Sequence, residues 1–325
     1  MRWKITLNQV LKAHNKQAKD GHKTISFSTQ DARREILENG FVALRQLGYK
    51  LPDVRGFKER HMTALGYAWE AQGLSPATLQ NRISVFRVFA EWIGKKGMIR
   101  DAIYYVKDTK NVMRQLAAKT DKTWQAQQKN LAEKLAEVRQ KNPYVAMQLE
   151  LQRAFGLRMK EAALLKPYQA DKADYLAINW GTKGGRDRVV RIDTAYQKDV
   201  LASAKALLPR AEGSMIPVHY TFKQWRNHYY YVCRQCGISR QEGITSHGLR
   251  HERLNEIYTE ITGQVSPVKG GSINKQSVKE MSLDRVARQE VAEVAGHSRS
   301  SIASAYCGSS VIMRSREVIS MNDKS

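Results

Sequence analysis

Cysteine is scarce in this sequence, with three residues in 325. Three thiols cannot build a disulfide framework, so the fold must rest on a packed core in a reducing compartment. Only Cys233 and Cys236 stand close together. A lone Cys-x-x-Cys without a second pair reads as two thiols on a helix near the core, with a zinc site as the alternative. Long apolar runs are missing too. No stretch reaches the roughly 18 residues that a membrane helix needs, and the opening Met1-Arg2-Trp3-Lys4 lacks a signal-peptide core. The expected location is the cytoplasm, with no membrane partner. Acidic residues are few: Asp and Glu number 31 against 54 Lys and Arg, a formal net charge of +23. That balance is too basic for a typical cytosolic metabolic enzyme and points to a polyanion partner. The excess is not a tail. Residues 1–121 carry a net +11 and the remainder +12, so both halves are expected to face the polyanion.

What is present fits one large or two medium domains with a real core, since 42% of the residues are hydrophobic. Residues 1–25 are short, basic and polar and read as an N-terminal arm, with a helix as the alternative. From Ser28 onward the pattern is helical, with Ile36, Leu37, Phe41 and Leu44 at three- and four-residue spacing and Ser28 or Thr29 as cap. A second helix is expected over residues 58–72. Ser75-Pro76 is a helix start, with a capping side chain followed by a proline suited to the first turn. The helix after it carries Leu79, Ile83, Phe86, Phe89 and Trp92 on one side and the basic Arg82 and Arg87 on another. Residues 26–108 therefore read as an all-helical domain, with Arg82 and Arg87 as candidate DNA-phosphate contacts. Residues 109–122 read as a linker, and a second domain spans 123–310 before a tail at 311–325. In it, residues 124–141 and 144–155 read as helices. Residues 174–193 change to a period of two and predict a two-stranded hairpin around a glycine-rich turn.

Four stretches carry possible chemistry. Gly156-Leu157-Arg158 opens a helix after a glycine break, with Glu161 three residues on and on the same face. Thr182-Lys183-Gly184-Gly185-Arg186-Asp187-Arg188 lacks the order of a nucleotide-binding P-loop and joins two strands rather than a strand and a helix. It suits a basic hairpin reaching toward a DNA groove, with Lys183 at the tip and Arg186 and Arg188 as DNA contacts. His247-Gly248-Leu249-Arg250-His251-Glu252 has two histidines four apart, but the glutamate lies outside the pair and no third ligand is near, so no metal is assigned. Gly296-His297 ends a helix whose buried side is expected to hold Val286, Val291 and Val294. A further helix then presents Tyr306.

Taken together, Gly-Leu-Arg158-x-x-Glu161, Thr-Lys183-Gly-Gly-Arg, His247-x-Leu-Arg250-His251 and Gly-His297 followed by Tyr306 resemble the tyrosine recombinases, or phage-type integrases, in order and rough spacing. Ser75-Pro76-Ala77-Thr78 and its basic helix look like that family's core-binding domain. The 45 residues between His251 and His297 are more than is common in the family. The extra segment, about 262–283, looks like a subgroup found in mobile elements.

The resemblance implies a mainly α fold with a small β-hairpin, organised as a two-domain DNA clamp: a helical core-binding domain and an α+β catalytic domain. It implies a site-specific recombinase that cuts and rejoins DNA through a 3′-phosphotyrosine, integrating or excising a mobile element. Tyr306 would be the nucleophile. Arg158, Arg250 and His297 would stabilise the phosphoryl charge. Lys183 would protonate the leaving oxygen, and His247 would assist proton transfer. Glu161 and His251 would support them. Neither cofactor nor metal is implied. The partners implied are double-stranded DNA with specific recombination sites, three further copies in a tetramer, and an accessory DNA-bending or directionality factor. The expected place is nucleoid-associated, and exchange of the 311–325 tail between subunits is open. Two alternatives stay open: a same-chemistry enzyme for dimer resolution, and a non-catalytic DNA-binding protein of the same fold.

Overall fold

Most helix starts are set by a side chain that can accept from the first free backbone N–H groups. The computed structural model describes residues 2–17, 24–274 and 276–309. In it the chain forms two units, Met1–Gln115 and Leu116–Ser325.

The first unit holds α1 (Arg2–His14), α2 (Phe27–Gln46), α3 (Glu59–Ala71) and α4 (Pro76–Trp92). The α2 cap is Ser26 rather than the expected Ser28 or Thr29, and its side chain accepts from Thr29 N. Ser75 caps α4 through Thr78 N, with Pro76 in the first turn. Phe41, Phe57, Phe86 and Phe89 meet as a ring cluster with centroids 5.1–6.2 Å apart. Gly40 makes room for it, because a Cβ there would stand 2.5 Å from Phe86 Cζ. The arm expected over residues 1–25 is, over Arg2–His14, a helix built into this core. Trp3, Leu7, Val10 and Leu11 form a helical stripe and are buried, whereas Ile5 on the other face is 60% exposed. The expected linker 109–122 is divided between the units. Val112 is buried in the first core, and Gln80 donates to its carbonyl at 2.6 Å. Ala118 N donates to Ser304 O at 2.8 Å within the second.

The second unit holds α5 (Leu131–Lys141), α6 (Pro143–Phe155), α7 (Met159–Leu164), α8 (Pro167–Ala170), β1 (Tyr175–Ile178), β2 (Arg188–Arg191), α9 (Ala195–Ala206), α10 (Phe222–Gln235), α11 (Ser246–Thr262), α12 (Val278–Val294) and α13 (Ser304–Cys307). The helix expected over 124–141 starts only at Leu131. Trp124 is instead buried, donating from its indole to Thr245 O at 2.8 Å. The hairpin is antiparallel, pairing Tyr175 with Arg191 and Ile178 with Arg188. Leu176, Ile178 and Val190 turn into the core.

Helix α11 lies between two apolar clusters, one around Phe155, Leu157, Leu254 and Val291, the other around Trp124, Trp225, Tyr229 and Leu249. That placement buries its polar face as well as its apolar one. Of the valines expected on the inner side of α12, Val291 and Val294 are buried, but Val286 is 52% exposed and Ala287 takes its place. Of the segment 262–283, Thr262 closes α11, Pro267–Lys269 form a 3-10 turn, and α12 begins at Val278, capped by the Ser277 side chain. Cys233 and Cys236 are both buried at the end of α10. The tail 311–325 lies outside the described residues. Among the described residues, no helix is long and apolar enough to cross a membrane.

Candidate active site

Gly156 ends α6 in the left-handed region at φ 63°, turning the chain so that Arg158 stands at the start of α7. Glu161, three residues on, is fully buried. Its carboxylate accepts from Arg158 N at 2.7 Å and from the Arg158 guanidinium at 2.6 Å. It also accepts both ends of the Arg188 fork, at 2.8 and 2.7 Å. Burial alone would raise this carboxyl. The Arg188 hydrogen bonds and the charges of Arg188 and Arg158 outweigh it and hold the pKa at about 2.

Arg250 comes from the first turns of α11 and has no exposed surface. It donates to Gly156 O and, at 2.7 Å, to Ala295 O. The second guanidinium at Ala295 O is that of Arg158, at 2.6 Å. Both Nε and one terminal nitrogen of Arg250 point at the Tyr306 hydroxyl, each at 3.4 Å. With Arg250 Nη1 3.8 Å from a Glu161 oxygen, three guanidiniums share one carboxylate, leaving an excess of positive charge. Such a site is arranged for an anion with several oxygens.

The histidines complete it. His251 and Tyr306 have ring centroids 4.9 Å apart, His247 and Tyr306 6.3 Å, and the two histidines pack edge to face at 4.9 Å. His297 Nε2 lies 3.4 Å from the Arg158 guanidinium. Burial, then the charges of Arg250, Lys122 and Arg158, pushes His247 down to about 4. Burial, then His247, Lys122 and Arg250, pushes His251 to about 3. Burial, then Arg158, Arg250, Lys183 and Arg188, pushes His297 to about 4. All three are neutral at pH 7 while the site holds no anion.

The remaining sequence-predicted residues divide. Lys183 and Arg186 are exposed on the hairpin turn, and Lys183 is near enough to His297 for its charge to be felt there. Arg188 is not available to DNA as expected. Its side chain is 6% exposed, its fork is filled by Glu161, and its Nε donates to Val294 O at 2.8 Å. Arg87 is likewise occupied, donating to Ile99 O at 3.1 Å and Arg100 O at 2.6 Å, where it pins the turn after α4. Arg82 lies over the Trp69 ring, 5.3 Å from its centroid. The further helix expected to present Tyr306 is short: Tyr306 stands third in the four residues of α13, after a 3-10 turn at Ser300–Ala303. Among the described residues, no group of three or more His, Cys, Asp or Glu side chains is placed to hold a metal.

Sequence reasoning missed Lys122, whose charge reaches both His247 and His251, and the buried Asn255 of α11, whose amide donates to Tyr306 O at 3.3 Å. It also misread Arg188, although a signal existed. In a strand, residues two apart share a face, so Arg188 must point inward with Val190.

Two family models match the chain in order. That of the phage integrase N-terminal domain matches residues 6–99, and that of the integrase domain residues 114–256. His297 and Tyr306 lie beyond the second match. Comparison with the curated proteins finds no match. Among solved structures, a lambda integrase dimer bound to a COC′ core site is similar at 16% identity and a TM-score of 0.55, over 94% of this chain and 77% of that one. The Tn1549 transposon integrase in complex with transposon right end DNA is similar at 13% identity and a TM-score of 0.55, over 97% of this chain and 99% of that one. A lambda integrase tetramer bound to a Holliday junction is similar at 14% identity and a TM-score of 0.51, over 91% and 78%. At these identities the likeness is one of fold: mostly helical, with a small two-stranded sheet. With both domains of a phage integrase matched in sequence along one chain, this protein belongs to the phage-type integrases, the tyrosine recombinases, which cut and rejoin DNA at specific sites.

Proposed function

We propose that the chain integrates or excises a mobile genetic element through a covalent 3′-phosphotyrosine at Tyr306. The observation that carries this reading is the position of the Tyr306 hydroxyl, 3.4 Å from two nitrogens of a fully buried arginine that shares a carbonyl with Arg158. The phenolic oxygen attacks phosphorus, and the bond from phosphorus to the 5′ oxygen breaks. Negative charge grows on the non-bridging oxygens, where the forks of Arg158 and Arg250 and the His297 imidazole stabilise it. Neutral His247 accepts the tyrosine proton. Lys183, brought in on the hairpin, gives a proton to the leaving 5′ oxygen. His251 orients the ring of Tyr306, and Glu161 holds the arginines. A phenolate is a fair leaving group, so the reverse attack by a 5′-hydroxyl rejoins the strand. The phosphodiester energy stays in the protein–DNA link, and the chemistry draws on no nucleotide.

Both units, each with a net positive charge, engage the duplex, and Arg82 and Arg186 are the candidate phosphate contacts that remain. A tetramer on two paired sites, aided by an accessory bending or directionality factor, fits strand exchange between duplexes. The protein would then be found with the nucleoid. The test is a nicked suicide duplex carrying the attachment junction that flanks the gene. A covalent adduct is expected with the native chain and is lost in Tyr306→Phe, which still binds. Tight binding by the native chain with no adduct overturns the reading.

A further inference from the structure

We propose that the loop between α11 and α12 positions the nucleophile, with Ser266 acting through Asn255 to hold the backbone of Tyr306 for attack. The inference rests on Tyr306 being the nucleophile.

Helix α13 is four residues long and has no side-chain cap, so it cannot hold its own shape. Its restraint comes from outside. Asn255, 2% exposed on α11, donates from Nδ2 to His251 O at 2.8 Å and to Tyr306 O at 3.3 Å. Both of those partners can only accept, so the amide nitrogen must face them and its oxygen must face the other way. There it meets the hydroxyl of Ser266, which donates to Asn255 Oδ1. Ser266 has no exposed surface, although it lies in a loop, where residues are normally solvated. The turn Pro267–Lys269 after it sits against the chain just past Tyr306. A Cβ on Gly308, itself at φ 74°, would stand 2.8 Å from Val268 N. Gly271 folds the loop back, its N–H donating to Ser266 O at 3.0 Å. Among the described residues of the loop the charged side chain is Lys269, which donates to Gln125 Oε1 at 2.9 Å.

Positioning and general structural support predict different kinetics. Before cleavage, Tyr306 is placed by non-covalent contacts only, with this hydrogen-bond chain holding its backbone and Arg250 and His251 meeting its ring and hydroxyl. In the covalent adduct, the bond to phosphorus places it. Ser266→Ala should therefore slow single-turnover cleavage of the suicide duplex by about tenfold, the worth of one hydrogen bond. It should leave religation of the isolated adduct by an added 5′-hydroxyl strand unchanged. Asn255→Leu, which removes the amide and keeps the volume, should show the same asymmetry more strongly. Equal slowing of cleavage and religation, or no slowing of either, overturns the latch while an adduct at Tyr306 in the native chain still stands. Failure of the native chain to form any adduct overturns the assignment of Tyr306 and the latch with it.

Discussion

Phe86 in the first unit and Arg250 in the second are equally hidden from water, both at 0% exposure, yet burial means opposite things for them. Removing the Phe86 ring from water drives folding and stabilises the unit by about 1.5–3 kcal/mol. Removing a guanidinium from water costs free energy, and its hydrogen bonds to Gly156 O and Ala295 O only offset that cost. The unit Met1–Gln115 is closed by aromatic rings. The unit Leu116–Ser325 also encloses Arg250, Glu161, His251 and Asn255 between two apolar clusters. On the proposed function, such a buried cationic group would stay in place without reorganising when a phosphate arrives, which is where electrostatic stabilisation is largest. The contrast teaches that substitutions among the aromatic rings of the first unit should act through stability, whereas those among the buried polar groups of the second can act through chemistry as well.

The widest separation of the two is expected at Lys183, which is exposed on the hairpin turn. Lys183→Ala should leave stability within about 0.5 kcal/mol, as surface substitutions do. It should slow cleavage by about 10²–10⁴-fold, the range for loss of a general acid. A duplex with sulfur in place of the bridging 5′ oxygen should restore the rate, because a thiolate leaves without a proton. A variant that stays slow on the sulfur substrate would remove Lys183 from that role.

Phe86→Ala and Glu161→Gln form a matched pair. The first should destabilise Met1–Gln115 by about 3–5 kcal/mol through the cavity it leaves. The second should destabilise Leu116–Ser325 by about 3–5 kcal/mol, because Arg158, Arg188 and Arg250 then lack their shared counter-charge. Urea unfolding with and without sulfate tells them apart. Sulfate strengthens burial generally, so Phe86→Ala sets the baseline. Glu161→Gln should recover more than that baseline, as the anion takes the place of the carboxylate. Equal recovery in the two variants would mean that the cluster is no anion site.

How far the sequence reaches follows the same division. Helices with an apolar stripe and a cap, such as α4 with Ser75 and Pro76, were legible because period and cap agree. The hairpin was legible from its change to a period of two. α1 is less legible, because basic and polar residues dominate the stretch around its buried stripe of Trp3, Leu7, Val10 and Leu11, which leaves arm and helix both open. The residue types of the site, from Arg158 to Tyr306, stand out in the sequence because rare polar residues recur in known order. Their partners do not. The partners that occupy Arg87 and Arg188 lie outside their own elements: Ile99 O, 12 residues on, for one, and Glu161 and Val294 O, 27 and 106 residues away, for the other. The Ser266–Asn255–Tyr306 chain spans loop, helix and short helix, and no local spacing encodes it.

Acid should expose the smallest difference between the units. His247, His251 and His297 are held near 4, 3 and 4 in the folded second unit, against about 6.5 unfolded. Between those values the unfolded chain binds the extra protons, so stability falls as pH drops from about 6.5 toward 4. Glu161, held at about 2, adds a further loss once pH falls through the ordinary carboxylate range near 4.5. In the first unit His61 is also lowered, chiefly by burial, and among the described histidines of that unit it is the one so held. Hydrogen exchange at pH 7 and pH 5 should therefore show amides of α11 losing more protection free energy than amides of α4. His251→Gln should flatten the slope for α11 and leave that for α4 as it was. Equal losses in both helices, or no change in His251→Gln, would mean that these imidazoles are not held neutral by the fold.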